Sequence, residues 1–164
     1  MTAPRVWKVC TAIAISLFLA ATASSTFAQA KDPVQGKWTL NLAKSKYNPG
    51  PPAKSGAIVF SPSGADGVKA VFDGVTGTGE KVHWEYTGNH DGKDYPMTGN
   101  PDADTIALKR INANSVETTY RKGGKPTVVN VRTVSADGKT LTVTVKGTNA
   151  QGQKVDHLLI FEKS

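Results

Sequence analysis

Short alternating segments, each closed by a turn signal, run through almost the whole chain. No other feature constrains its fold as tightly. Gly64-Ala65-Asp66-Gly67, Asp91-Gly92-Lys93, Asn112-Ala113-Asn114, Gly123-Gly124-Lys125, Asp137-Gly138-Lys139 and Gln151-Gly152-Gln153 punctuate runs of Val, Ile, Thr, Tyr, Phe and Trp. Consecutive antiparallel hairpins with no helix between them leave two architectures, an up-and-down β-barrel or a β-sandwich. The alternation predicts strands over Gly36–Leu42, Ala57–Phe60, Val68–Phe72, Val82–Thr87, Tyr95–Met97, Thr105–Ile111, Val116–Arg121, Thr127–Ser135, Thr140–Val145 and Val155–Glu162. Pro96 demotes its segment to an edge or bulged strand, because proline lacks the N–H that a central ladder needs. Ala43–Ser55 carries Pro49, Pro51 and Pro52 and reads as a loop across one end, a lid or only a connector.

Similar strand lengths, short turns and the absence of a long Greek-key crossover favour the barrel. Closure also removes the edges on which an exported β protein would aggregate. The expected fold is therefore all-β, an antiparallel up-and-down barrel of about 8–10 strands, wide enough to hold one small ligand.

The first thirty residues stand apart. Arg5 and Lys8 form a positive start, Ala12–Ala21 an apolar run, and Ala28-Gln29-Ala30 an A-x-A cleavage site. This is the pattern of a secretory signal over residues 1–30, leaving one domain over 31–164 in the periplasm or outside the cell. The apolar run is shorter than the ~20 residues of a membrane span, so none is expected after the signal is removed. The one cysteine, Cys10, lies in the signal, so the domain must be held by its own burial. Without the two basic residues of the signal, 18 Lys and Arg face 13 acids, a net charge of +5. Those bases are dispersed, with Lys109-Arg110 and Arg121-Lys122 the adjacent pairs. No basic helix or aromatic–arginine motif speaks for nucleic acid.

Gly36-Lys37-Trp38 at the start of the first strand resembles the Gly-x-Trp opening of lipocalins and their relatives. The resemblance implies that Gly36 and Trp38 form a structural plug, the Trp closing the barrel's base. Leu158-Leu159-Ile160-Phe161-Glu162-Lys163 resembles the last strand of fatty-acid-binding-like barrels. The block from His83-Trp84-Glu85-Tyr86-Thr87 to Ala107-Leu108-Lys109-Arg110-Ile111 is similar to small exported lipocalin-like proteins of bacteria, many uncharacterised. The chain departs from fatty-acid-binding proteins at Ala43–Ser55, which is Pro-rich where those proteins carry a helical pair.

Familiar catalytic and metal motifs fail. His83, His90 and His157 show no i, i+4 pair on a helix and read as surface or rim residues. Asn100, Asp102 and Asp104 stand at positions 1, 3 and 5 of an EF-hand loop, but position 6 is Thr105 and position 12 is Ile111. There is no Gly-x-Ser-x-Gly elbow and no phosphate loop leading into a helix. No metal, cofactor or catalytic residue is expected.

Binding chemistry is better represented. Arg110 shares a face with Ile106 and Leu108, and Arg132 with Val128 and Val134. Inside a barrel, either guanidinium would receive a ligand carboxylate through paired hydrogen bonds. Near a strand end it would instead reach solvent, or stack on Trp38. Trp84, Tyr86, Tyr95 and Tyr120 carry aromatic bodies, with polar tips on the tyrosines, that suit a cavity wall or a plain core. The sequence thus supports an exported non-enzymatic binder of a small apolar or amphipathic molecule. The alternative is a protein–protein module or an inhibitor of an exported enzyme, with Pro49–Pro52 or the N-terminal end of the domain as its contact.

Overall fold

Why the chain closes on itself is visible in a computed structural model that describes residues 32–164. The expected signal over residues 1–30, with Cys10, lies outside the described residues. Ten strands follow one another: β1 (Gly36–Leu40), β2 (Ser55–Ser63), β3 (Gly67–Val75), β4 (Lys81–Asn89), β5 (Asp91–Thr98), β6 (Thr105–Asn112), β7 (Ser115–Lys122), β8 (Lys125–Val134), β9 (Thr140–Thr148) and β10 (Lys154–Lys163). Each pairs antiparallel with its sequence neighbour, and β1 pairs with β10 to close the barrel. No helix occurs among the described residues. The alternation that predicted the strands sets their burial. On β8, Val128, Arg132 and Val134 are buried, whereas Lys125 and Thr133 face out.

The Gly-x-Trp opening fills one end. Trp38 is fully buried and its Nε1 donates to the Val34 carbonyl at 2.6 Å. The Lys163 ammonium, not an arginine, sits 4.8 Å from the centre of the Trp38 ring. Gly36 has φ of 119°, and a Cβ there would meet Lys163 Cε at 3.2 Å, so the plug uses glycine for both conformation and space.

Two expectations are corrected. The segment after β1 does not lie across one end. It extends the β1 edge along β10, where Asn41 N donates to the Ile160 carbonyl, Lys46 and Leu158 exchange backbone bonds, and Asp156 N donates to the Asn48 carbonyl. Prolines enter only at Pro49, after that pairing has ended, as their missing N–H requires. Asp91-Gly92-Lys93 is not the turn between β4 and β5. It lies inside β5, at a bulge marked by a register shift between Asp91 and Asp94, with Gly92 at φ 77°. The actual connection is the single residue His90.

Beside that connection β4 and β5 splay. Their register pairs are Glu85–Thr98 and Tyr86–Met97, both away from the turn. Tyr95 covers the gap, its ring so close to Gly88 that a Cβ there would lie 2.9 Å from it. Tyr95 therefore packs against the core and does not line the interior cavity. Pro96, with no N–H to offer, sits where pairing to β4 is already broken.

Candidate ligand-binding cavity

Side chains fill the end of the barrel around Trp38, Leu108 and Val134, but the other half is hollow. A cavity of about 240 Å³ is lined by the inward rows of β2, β3, β4 and β7 to β10, and reaches the turns that hold Asn100, Asp102 and Asn149. Its walls are mainly apolar, with Ile58, Phe72, Trp84, Val143, Val145 and Leu159 contributing. Phe72, Trp84 and Tyr86 form a row of near-parallel rings on β3 and β4. Successive centroids are 5.0 and 6.0 Å apart and interplanar angles are 12° and 10°. At the turn end, Asp102 Oδ1 accepts from Ala150 N at 2.9 Å, which ties the β5–β6 loop to the β9–β10 turn.

The inner end is polar. Arg132 is buried, 6% exposed, and lines the cavity. Its Nη1 donates to the Tyr86 hydroxyl at 3.3 Å, its Nη2 to His90 Nε2 at 2.9 Å, and its guanidinium carbon lies 5.1 Å from the centre of the Phe60 ring. None of these partners is a carboxylate. The Tyr120 hydroxyl accepts from Asn130 Nδ2 at 3.1 Å. Both phenols therefore accept from a donor behind them, and among the described residues neither hydroxyl proton has a protein acceptor. Burial pushes both phenols above their ordinary value of 10.0, so they stay protonated. A guanidinium and two hydroxyl donors at the bottom of an apolar chamber suit an anionic or strongly accepting group.

Of the candidate binding residues, Trp84, Tyr86, Tyr120 and Arg132 all line this one chamber. Arg110 is a correction, because it does not line this cavity. The register sets Arg110 beside Val116, and Val116 beside Arg132. Arg110 lies beyond the last core layer, however, where Nη2 donates to Asp66 Oδ1 at 2.9 Å and to Asp32 Oδ2 at 3.2 Å. Two carboxylates already use it.

His90 is not the surface or rim residue that the sequence suggests. Its side chain is 1% exposed and stands between the two arginines. Nδ1 lies 2.8 Å from the Asp66 carbonyl and Nε2 faces the Arg132 donor. An arginine donor stands at each ring nitrogen, but only Nδ1 also has an acceptor, the Asp66 carbonyl, which assigns the ring proton to Nδ1 and leaves Nε2 to accept from Arg132. Burial first, then Arg132 and Arg110, hold its pKa below the ordinary 6.5, so the ring is neutral. The signal was present in the sequence: Tyr86, Gly88 and His90 are spaced by two, which puts His90 on the Tyr86 face.

The remaining histidines serve elsewhere. His83 pairs with Asp73 at 2.7 Å on the outer surface. His157 lines the cavity near its turn end and accepts from Asn48 N at 3.0 Å through Nδ1. Among the described residues no group of three or more His, Cys, Asp or Glu is placed to hold a metal ion. No described helix is long and apolar enough to cross a membrane.

No protein-family model and no curated protein sequence matches the chain. Solved structures do. The wild-type fluorescent protein UnaG superposes with a TM-score of 0.55 at 12% identity, over 79% of this chain and 96% of its own. A redesigned β-barrel, mFAP1 bound to DFHBI, gives a TM-score of 0.41 at 15% identity, over 80% of this chain and 98% of its own. At such identities the likeness is one of fold, and the UnaG match is the one that carries it: this chain is an all-β, ten-strand closed antiparallel barrel that shares its fold with UnaG.

Proposed function

We propose that the protein is an exported, non-enzymatic carrier of a small amphipathic molecule whose acidic end is held by Arg132, Tyr86 and Tyr120. The observation that carries this reading is Arg132 itself. It is a buried guanidinium with no carboxylate partner, placed at the inner end of an otherwise apolar chamber. Leaving a charge so poorly compensated weakens the fold, a loss that a bound anion would offset. The ligand's apolar body would lie along Phe72, Trp84, Val143 and Leu159, toward the turn end.

At about 240 Å³ the chamber sits below the usual ~300–1,000 Å³ of drug-sized sites, which favours a compact ligand. Export rests on the sequence pattern of Arg5, Lys8, Ala12–Ala21 and Ala28-Gln29-Ala30. A filled barrel would favour an interaction module, and the hollow one argues for the carrier.

Native mass spectrometry of the protein purified from its own source, before and after organic extraction, tests the reading. A small bound mass that extraction removes, and that ionises as an acid, is the expected result. A bare chain, or one carrying only another protein, would overturn it.

A further inference from the structure

His90 has no role in the carrier reading, yet it joins the cavity to the closed end of the barrel. It is the single residue between β4 and β5, and its ring is clamped from several elements. Arg132 on β8 faces Nε2 at 2.9 Å and Arg110 on β6 approaches Nδ1 to 2.8 Å. The Asp66 carbonyl, in the β2–β3 turn, lies 2.8 Å from Nδ1, with the Asp66 carboxylate at 3.5 Å. Asp32, from the segment before β1, reaches the cluster through Arg110. The Tyr86 phenol on β4 shares Arg132 with His90. Asp91, next in the chain, turns its carboxylate to Tyr95 and Lys93 instead. Val116 on β7, between the arginines in register, adds no charge.

The ring's two edges therefore do different work. Neutral Nε2 accepts from Arg132 and helps fix the guanidinium at the cavity's inner end. A protonated ring would lose that acceptor and place three cations side by side, with Asp66 and Asp32 compensating only on the Arg110 side. An anion arriving at Arg132 removes the obstacle, because it supplies negative charge on the side that lacks it. Two binding events that each relieve the other's electrostatic cost are thermodynamically linked, and the linkage is reciprocal.

We propose that His90 is the positioning residue of this site and that the cavity takes up its anionic ligand together with a proton. The inference rests on Arg132 being the anion's partner. Its consequence is directional: acidification strengthens retention of an anion, and alkalinisation releases it. With one proton taken up per ligand, affinity changes by at most about tenfold per pH unit, within the window set by the free and bound states of His90.

The test uses two fluorescent probes that differ by one group. Anilinonaphthalene sulfonate keeps its charge across the whole range, and phenylnaphthylamine is the same diarylamine without the sulfonate. Their affinities are measured between about pH 5.5 and 8, the range in which histidine titrates, with near-ultraviolet circular dichroism confirming the native fold at each point. For the unaltered protein the sulfonate should bind more tightly as pH falls, and the neutral probe should show no trend. His90→Gln should flatten the sulfonate profile.

Because that variant also alters a buried contact, the His90 ring is followed directly by NMR in the unaltered protein. Its titration should move to higher pH when the sulfonate is bound. A flat sulfonate profile, an unchanged slope in His90→Gln, or a His90 titration that ignores the probe would overturn the proposal. Sulfonate binding that is equally tight in Arg132→Met would instead refute the underlying anion site, so the two failures are distinguishable.

Discussion

Replacing Arg132 with methionine should move stability and affinity in opposite directions. The side chain is 6% exposed, so its charge is almost wholly removed from water. Desolvation of such an ion opposes folding by several kcal/mol. Against this stand one good charged hydrogen bond to His90, a long one to Tyr86 at 3.3 Å, and a guanidinium 5.1 Å from the Phe60 ring centre. Together these return about 3–5 kcal/mol. Methionine adds apolar burial worth about 1–2 kcal/mol, partly offset by the unpaired His90 Nε2.

The expected net is a gain of about 1–2 kcal/mol, or a melting temperature higher by about 4–8 °C for a domain of this size. The same variant should bind anilinonaphthalene sulfonate about 30–100-fold more weakly, since a buried charge-assisted contact to the anion is lost. Phenylnaphthylamine should be little affected. Calorimetric melting and fluorescence titration read the two effects. If Arg132→Met destabilises the fold and weakens both probes alike, the arginine is structural and the reasoning fails.

Other parts of the molecule give independent expectations. Trp38→Ala should destabilise by about 3–5 kcal/mol in chemical denaturation, because it empties the plug and leaves the Val34 carbonyl without its indole donor. Gly99→Ala should cost at least about 2 kcal/mol in the same assay. Gly99 sits at φ 77°, and a Cβ there would collide with the His83 carbonyl oxygen. The depressed pKa of His90 gives a signed pH effect. Unfolded chains take up its proton as pH falls through about 6.5 and folded chains only lower, so His90's contribution to stability is complete above that value and declines beneath it. His157 is shifted the same way by burial, so His90→Gln should shrink the acid-side decline in urea-melt stability without abolishing it.

Local pattern carried the architecture because every strand pairs with its sequence neighbour except at the β1–β10 closure. Alternation on β8 placed Arg132 inside with Val128 and Val134, and the same rule put Trp84 and Tyr86 on the cavity face. It misplaced Arg110 because parity says which face a residue takes, not how far along the barrel it lies. Arg110's carboxylate partners, Asp66 and Asp32, are 44 and 78 residues away in sequence. His90 was missed for a different reason. Asp91-Gly92-Lys93 reads as a turn, yet its glycine serves a bulge, and the tighter connection one residue earlier turns the imidazole inward. The strand extension before Pro49 was hidden by the prolines that follow it.

The central claim is that an acidic end sits at Arg132 inside the barrel, and a crystal structure of the complex with anilinonaphthalene sulfonate tests it most directly. The account requires the sulfonate within hydrogen-bonding distance of the Arg132 guanidinium and of the Tyr86 or Tyr120 hydroxyl, with the rings between Trp84 and Leu159. A probe lying outside the barrel, or inside it with the sulfonate pointing to the turn end, would contradict the account.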